Sequence, residues 1–149
     1  MSLEKQIMEE IKTAMRAKDK ESLEALRSVK SALLLAKTEK GSKELDKAGE
    51  TAILQKLVKQ RKDSAEIYMK QKRDDLYQKE IKEAKVIGKF LPEQMNTEEL
   101  EQKLKIIIEK TGASTMADMG KVMGAASKQL AGKADGRSIA ETVKKLLNT

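Results

Sequence analysis

Residues 89–100 have the sequence KFLPEQMNTEEL, and this stretch divides the chain into two helical parts. Pro92 ends a helix that reaches it, because its ring removes a hydrogen-bond donor and collides with the preceding turn. A new helix is indicated where Asn96 precedes Glu99 by three residues, the spacing of an N-cap residue and its reciprocal partner. We therefore predict two domains that meet at Pro92.

The N-terminal domain, residues 1–91, contains four stretches in which apolar side chains recur every three or four residues, as on one face of an α-helix. The four predicted helices span residues 2–17, residues 20–37, a segment centred on Leu54 that extends toward Gln71, and a segment from about Asp74 to Leu91. A polar stretch with a glycine, residues 38–47, is predicted to be a loop. The pattern indicates an up-down helical bundle.

The C-terminal domain, residues 92–149, is predicted to contain three shorter helices. They span residues 97–110, 116–130 and 137–147. Capping residues mark their ends: Gly112 suits a C-cap, Thr115 with Asp118 fits a capping box, and Asp135 is placed to cap the last helix. The whole chain is therefore predicted to be all-α.

The composition favours amphipathic helices and excludes most catalytic designs. Of the 149 residues, 39% are hydrophobic and 2% aromatic, and there is one proline. The chain has no cysteine and no histidine, so it lacks a disulfide, a thiolate nucleophile, an imidazole base and a zinc-finger site. Paired carboxylates in an apolar pocket, a phosphate-binding loop and a serine nucleophile elbow are not found either. We predict no catalytic residue, no metal and no cofactor.

The N-terminal sequence MSLEKQIMEEIK alternates acidic and apolar residues. It lacks the uninterrupted apolar core of a signal peptide or a membrane span. We therefore expect a cytoplasmic location and no membrane partner.

The net charge of +7 suits a polyanionic partner such as RNA or a large acidic protein. Most of this charge lies in residues 1–91, which hold 22 Lys and Arg against 16 Asp and Glu. Acidic and basic residues are interspersed at helical spacing, however, and such mixed charge usually only solvates a helix.

The segment TMADMGKVMGAASKQLAGKADGR, residues 115–137, combines closely spaced glycines with basic residues. Its helical part places lysines and glycine opposite the apolar face, so a sugar-phosphate backbone could approach closely, and the GKADGR turn adds the free amides of a helix N-terminus. The predicted nucleic-acid-binding residues are Lys121, Gly124, Lys128, Lys133, Gly136 and Arg137. The alternative is that the glycines serve helix packing and turns while the lysines are merely solvated, and Asp135 places negative charge where a phosphate would lie.

A second group of basic residues interrupts the apolar stripes of the N-terminal domain. Folding would draw the Arg61 guanidinium from water unless a carboxylate joins it, so an internal ion pair is the preferred interpretation. The candidate partners are Asp63, Asp75 and Glu80. The functional alternative is a secondary basic cleft formed by Arg27, Lys30, Lys59, Arg61, Lys62 and Arg73.

Four motifs together resemble the GatB/YqeY family, over essentially the full length of the chain. They are LRSVKSALLLAKTEKG near the second helix, LVKQRKDSAEIY on the third, FLPEQ at the domain boundary and MGKVMGAASKQLAGKADGR in the last domain. The chain is most similar to the free-standing YqeY type. It departs from the family pattern in KQKRDDLYQKE, where Lys72 precedes Arg73 and a glycine is expected.

The resemblance implies a four-helix N-terminal region and a C-terminal domain similar to the tail of the B subunit of glutamine-dependent tRNA amidotransferases. In that enzyme the tail is associated with tRNA recognition, whereas ammonia production and transfer belong to other parts. Carbon-nitrogen ligase activity with glutamine as amido donor would therefore be attributed to this chain by homology alone.

The leading hypothesis is a non-catalytic accessory protein that binds tRNA or another structured RNA, mainly through phosphate contacts and RNA shape. One alternative is a component or helper of an amidotransferase complex, with amidotransferase subunits as partners. Another is a protein-interaction adaptor that uses its helical faces.

Overall fold

A computed structural model describes residues 2–39 and 45–148, and within these residues it contains seven α-helices and no strand. The predicted all-α fold class is confirmed. The chain divides into two compact units on either side of the Leu91–Pro92 bond, called here the N-terminal unit and the C-terminal unit.

The N-terminal unit contains α1 (Leu3–Arg16), α2 (Lys20–Glu39), α3 (Lys47–Lys70) and α4 (Asp74–Gly88). Two boundaries differ from the prediction by two residues or more: α2 extends to Glu39, and α4 ends at Gly88 instead of reaching Leu91. After Gly88 the chain forms a turn in which the hydrogen bond spans three residues and not four: the Leu91 N–H donates to the carbonyl of Gly88 at 3.1 Å, just before the proline. Residues 40–44 of the predicted loop at 38–47 lie outside the described residues.

The four N-terminal helices pack as two consecutive pairs, α1 on α2 and α3 on α4, and α2 joins the pairs by packing against α4 and α3. Each helix buries its apolar stripe because the period of the stripe matches the period of the helix. Ile7, Leu54 and Ile87 are each at most 1% exposed at the centre of this core. Replacing one of them by alanine would cost about 2 to 5 kcal/mol of stability.

The turns after α1 and α3 both place a lysine in the left-handed region, Lys18 at φ 55° and Lys72 at φ 58°. After α3, the N–H of Arg73 donates to the carbonyl of Tyr68 at 2.9 Å and that of Lys72 to Met69 at 3.1 Å. This pair of bonds is the Schellman motif, which closes the end of a helix. The turn therefore forms with Lys72 at the position where the family resemblance predicted a glycine.

The C-terminal unit is a three-helix domain with α5 (Thr97–Thr111), α6 (Met119–Gln129) and α7 (Gly136–Leu147). A single 3-10 turn, Met116–Asp118, precedes α6, so the predicted helix over residues 116–130 begins in a tighter form. All three helices pack against one another around a core of their own. Its fully buried side chains include Leu104, Val122 and Val143.

Most of the predicted caps in this unit are confirmed. The Asn96 side chain accepts a hydrogen bond from the Glu99 N–H at 2.8 Å, and Gly112 closes α5 at φ 70°. The capping box of Thr115 and Asp118 is present. The prediction for Asp135 is wrong in one respect: it occupies the N-cap position of α7, but its side chain accepts no hydrogen bond there.

Candidate nucleic-acid interface

The outer surface of α6 carries three of the six predicted nucleic-acid-binding residues. Val122 and Ala126 are fully buried, and they fix which side of α6 faces the core. Lys121, Gly124 and Lys128 lie on the opposite side and are exposed. We call this exposed side, together with the neighbouring Gly120, the α6 face.

The glycines of the α6 face do not serve packing inside the protein. A Cβ atom added to Gly120 or Gly124 would meet no atom of residues 2–39 and 45–148 within 4 Å, and the same holds for Gly136 at the start of α7. Glycine inside a helix costs about 1 kcal/mol relative to alanine. The alternative that these glycines permit tight helix packing is therefore not supported, and they leave a low surface between two lysines.

The other three predicted residues lie in the turn between α6 and α7, which holds Lys133, and at the first two positions of α7, and the turn is fixed to the start of the C-terminal unit. Gly132 has φ 80°, a conformation that glycine adopts without strain. Its carbonyl accepts a hydrogen bond from the Gln94 side chain at 2.7 Å, and the carbonyl of Lys133 accepts one from the Met95 N–H at 3.0 Å. The exposed Lys133 side chain therefore projects from an anchored backbone.

The two cations at this end of α7, Lys133 in the turn and Arg137 in the helix, are not equivalent. The Nε of Arg137 lies 3.3 Å from a carboxylate oxygen of Glu141 in an exposed pair one helical turn along α7. Exposed pairs of this kind contribute little energy, so Glu141 holds Arg137 only weakly. Gly136 begins α7, and the side chain of Asp135 accepts no hydrogen bond from the first N–H groups of that helix.

The electrostatics at the start of α6 also depend on Asp118. Its carboxylate accepts hydrogen bonds from the backbone N–H groups of Ser114 at 3.0 Å and Thr115 at 3.3 Å. These two bonds lower the pKa of Asp118, and the nearby charge of Lys121 lowers it further. The Asp118 carboxylate is thus hydrogen-bonded within the capping box, at the edge of the α6 face.

The residues of the predicted secondary basic cleft lie on different elements of the N-terminal unit. Exposed members lie on α2 and α3: they are Arg27, Lys30, Lys59 and Lys62. Lys30 lines a groove of about 120 Å³ whose apolar floor includes Ile7 and Leu33 of α1 and α2. Arg73, just before α4, pairs with Asp75 at 3.3 Å, and this contact raises its pKa.

Arg61 forms the internal ion pair that was the preferred interpretation of the sequence. Its Nε lies 3.5 Å from Oε2 of Glu83 on α4, and the two side chains are 19% and 8% exposed. The partner is not one of the three predicted carboxylates. A signal for Glu83 was present, because it precedes the buried Ile87 by four residues and so falls on the buried side of α4.

Arg61 and Glu83 line a cavity of about 480 Å³ between α3 and α4, called here the α3–α4 pocket. Its other lining residues are Gln60, Asp63, Ser64 and Glu80. Burial raises the pKa of Glu83, the charge of Glu80 raises it further, and Arg61 opposes the rise. A phosphate in this pocket would meet three carboxylates and one guanidinium, so the surroundings of Arg61 disfavour an anion.

Residues 2–39 and 45–148 contain neither a helix that could span a membrane nor a cluster of metal ligands. No helix in this part of the chain is both long and apolar enough to cross a lipid bilayer. No group of three or more acidic side chains in the same part is arranged to hold a metal ion.

Comparison with known proteins gives a family and a set of named relatives. The family model described as "Yqey-like protein" matches residues 4–147. Three curated relatives carry the name "Altered inheritance of mitochondria protein 41, mitochondrial". The Kluyveromyces lactis protein is 33% identical over 84 residues, which are 56% of this chain and 45% of that protein.

The other two relatives align over more of the chain. The Clavispora lusitaniae protein is 33% identical over 126 residues, covering 81% of this chain and 69% of the relative. The Saccharomyces cerevisiae protein of strain YJM789 is 32% identical over 132 residues, covering 87% and 69%. The chain thus spans between 45% and 69% of the length of these three relatives.

The predicted cytoplasmic location is contradicted by these relatives, each of which is named as a mitochondrial protein. The motifs of the second and third helices, of the boundary and of the last domain all fall inside the matched range. On that match, the chain belongs to the Yqey-like protein family.

Proposed function

We propose that this protein binds structured RNA, with tRNA as the first candidate, through the α6 face and the turn that follows it. In this role it is an accessory protein that holds RNA without catalysing a reaction. The observation that carries the proposal is the bare surface at Gly120 and Gly124, flanked by the exposed Lys121 and Lys128. A helix that keeps two costly glycines without any internal contact is well suited to an external backbone that must come close.

The chemistry of the surface suits phosphate more than base recognition. Lysine is a point charge with three donors, and it binds phosphate without reading sequence. If Lys121, Lys128 and Lys133 each neutralise one phosphate, the logarithm of the affinity should fall with the logarithm of salt concentration with a slope of about −2 to −3. RNA would then be selected mainly by the shape of its backbone.

The direct test replaces Lys121 and Lys128 together by glutamine and measures tRNA binding at several salt concentrations. Loss of two phosphate contacts should lower the affinity roughly tenfold or more at low salt and make the salt slope about 2 units shallower. The matched control replaces Lys103 and Lys105, which are exposed on α5 of the same unit. An equal loss in both double variants would mean that net charge, and not the α6 face, governs binding.

A second variant tests the shape of the surface without changing its charge. Gly124→Gln adds a side chain into open space, so the fold should be retained and the helix slightly stabilised. RNA affinity should nevertheless fall severalfold, because the backbone can no longer lie against α6. Ala52→Gln, at an exposed position of α3, is the control and should leave affinity unchanged.

The same preparations distinguish RNA binding from assembly with protein. RNA that is recovered after crosslinking in cells should be enriched in tRNA over a charge-matched control protein. Capture of an amidotransferase subunit that persists after nuclease treatment, without such enrichment, would contradict the proposal and support a role in an amidotransferase complex.

A further inference from the structure

The groove that Lys30 lines lies between the first two helices and is called here the α1–α2 groove. Its volume is about 120 Å³. Ile7 and Leu33 form its floor and are 1% and 2% exposed, whereas Met8 and Leu34 line its sides and are 41% and 54% exposed. The groove is therefore an apolar recess that is open to a side chain from outside the protein.

The apolar surface continues beyond the groove along α1. Met15 lies two helical turns after Met8 on the same side of α1, and it is 55% exposed. Glu4 near the start of α1 pairs with Lys37 near the end of α2, so the two helices run antiparallel and α1 packs chiefly against α2. Exposed apolar side chains thus follow this helix pair over two turns, a length of about 10 Å.

The unpaired charges beside the groove are positive. Lys30 lines the groove, and Arg27 precedes it by three residues on the same exposed face of α2. Within residues 2–39 and 45–148, neither cationic group has an ion pair or a hydrogen bond to a carboxylate. The acidic residue that lines the groove, Glu4, is instead paired with Lys37. A partner that covers the groove should therefore bring carboxylates to Arg27 and Lys30.

The shape and chemistry of the groove favour a protein helix over other kinds of partner. None of its lining residues is aromatic, so it offers no ring on which an RNA base could stack. A bilayer surface is too broad to reach a floor that is recessed between two helices. A second copy of the chain in a symmetric contact would bring the unpaired Arg27 and Lys30 against cations of its own kind.

We propose that the α1–α2 groove docks an amphipathic, acidic helix of a partner protein. One apolar side chain of that helix would insert between Met8 and Leu34, and its carboxylates would lie opposite Arg27 and Lys30. Apolar residues spaced by three, four and seven positions on the docked helix match two turns of the α1–α2 pair. The methionines along α1 suit such a contact, because their flexible side chains adapt to the shape of a partner.

The first test places the photo-crosslinking residue benzoylphenylalanine at the position of Ser31 in the full chain and irradiates cells that produce it. Ser31 is exposed on α2, one turn before Leu34. Mass spectrometry of the crosslinked peptides should identify a partner segment with apolar residues at helical spacing and an excess of Asp and Glu. The control chain carries the crosslinker at Met69, an exposed apolar position of α3, and should not capture that segment.

The second test measures, by fluorescence anisotropy, how a synthetic peptide copied from the captured segment binds the full chain. Leu34→Ser should weaken binding roughly tenfold or more, because it removes one side of the groove, and the fold should be retained since Leu34 is half exposed. Replacing Arg27 and Lys30 together by glutamine should weaken binding roughly threefold to tenfold and reduce its dependence on salt.

Matched controls change the same kinds of residue on α3. Met69→Ser removes an exposed apolar side chain, and the double variant Lys59→Gln with Lys62→Gln removes two exposed cations. Both should leave the affinity for the peptide unchanged. Equal weakening by Leu34→Ser and Met69→Ser would contradict docking in the groove.

The crosslinking itself can also overturn the proposal. Capture at Ser31 of RNA, of lipid or of a second copy of this chain would do so, and so would the absence of any protein segment above the Met69 control. Vesicles of equimolar phosphatidylcholine and phosphatidylglycerol provide the membrane comparison. Vesicle binding that Leu34→Ser abolishes would assign the groove to a lipid surface instead.

Discussion

At the scale of single residues, three helices end in the same hydrogen-bonding pattern with different residues in the left-handed position. Gly112 holds it after α5 at φ 70°, and Lys18 and Lys72 hold it after α1 and α3. A residue with a Cβ atom is strained there by about 1 to 2 kcal/mol, and glycine is not. A glycine before Arg73, which the family resemblance predicts, would suit the left-handed backbone conformation of this turn.

Lys72→Gly should therefore stabilise the protein by about 0.5 to 1 kcal/mol, since relief of strain exceeds the extra flexibility that glycine gives the unfolded chain. Urea unfolding should show a higher midpoint with an unchanged slope. Lys62→Gly removes the same charge from an exposed position inside α3 and should destabilise by about 1 kcal/mol. Equal losses in both variants would show that Lys72 is not strained.

At the scale of the helices, the apolar period of the sequence predicted α1, α2 and the C-terminal helices to within a few residues, except for the 3-10 turn before α6. The apolar period is a property of each helix alone, so it can be recognised in the sequence without knowing which helices pack against it. The partner of Arg61, in contrast, depends on two helices. Glu80 and Glu83 lie about one turn apart on α4, and the register in which α4 packs against α3 decides which of them faces Arg61.

The same limit applies to the glycines of the α6 face. The sequence shows that Gly120 and Gly124 share a side with lysines, and it leaves both packing and binding as explanations. Only the arrangement of the neighbouring helices shows that the space above these glycines is open. The α3–α4 pocket was not predicted at all, because it depends on the same helix pairing that selects Glu83.

The Arg61–Glu83 pair gives α3 and α4 a measurable dependence on pH. A carboxyl whose pKa is higher in the folded than in the unfolded protein binds more protons when folded, so its contribution to stability falls as pH rises through that interval. Burial raises the pKa of Glu83 in this direction. The loss begins near its ordinary value of 4.5 and is complete above the raised value.

Glu83→Gln removes this titration while keeping the shape of the side chain. The stability of the variant relative to the unmodified protein should therefore rise between pH 4 and pH 7, as measured by urea unfolding at each pH. Glu66→Gln at an exposed site of α3 gives the background for removing one carboxylate. A relative stability that stays level or falls over this interval would show that Arg61 compensates the buried charge of Glu83 fully.

At the scale of the whole molecule, charge and the candidate RNA surface lie in different units. Residues 1–91 hold 22 Lys and Arg against 16 Asp and Glu, and therefore most of the net charge of +7. The six predicted RNA-binding residues all lie in the C-terminal unit. Long-range attraction should come largely from the first unit and close contact from the second, because steering depends on summed charge and recognition on local shape.

Residues 92–149 should fold when they are produced alone, because the core around Leu104, Val122 and Val143 is formed entirely within that unit. A domain this small is only marginally stable, so circular dichroism should show a cooperative transition at a lower temperature than in the full chain. The isolated unit should bind tRNA more weakly than the full chain at low salt and lose that binding on Lys121→Gln with Lys128→Gln. If the folded unit does not bind and residues 1–91 keep the full affinity, the RNA contact belongs instead to the basic residues of α2 and α3.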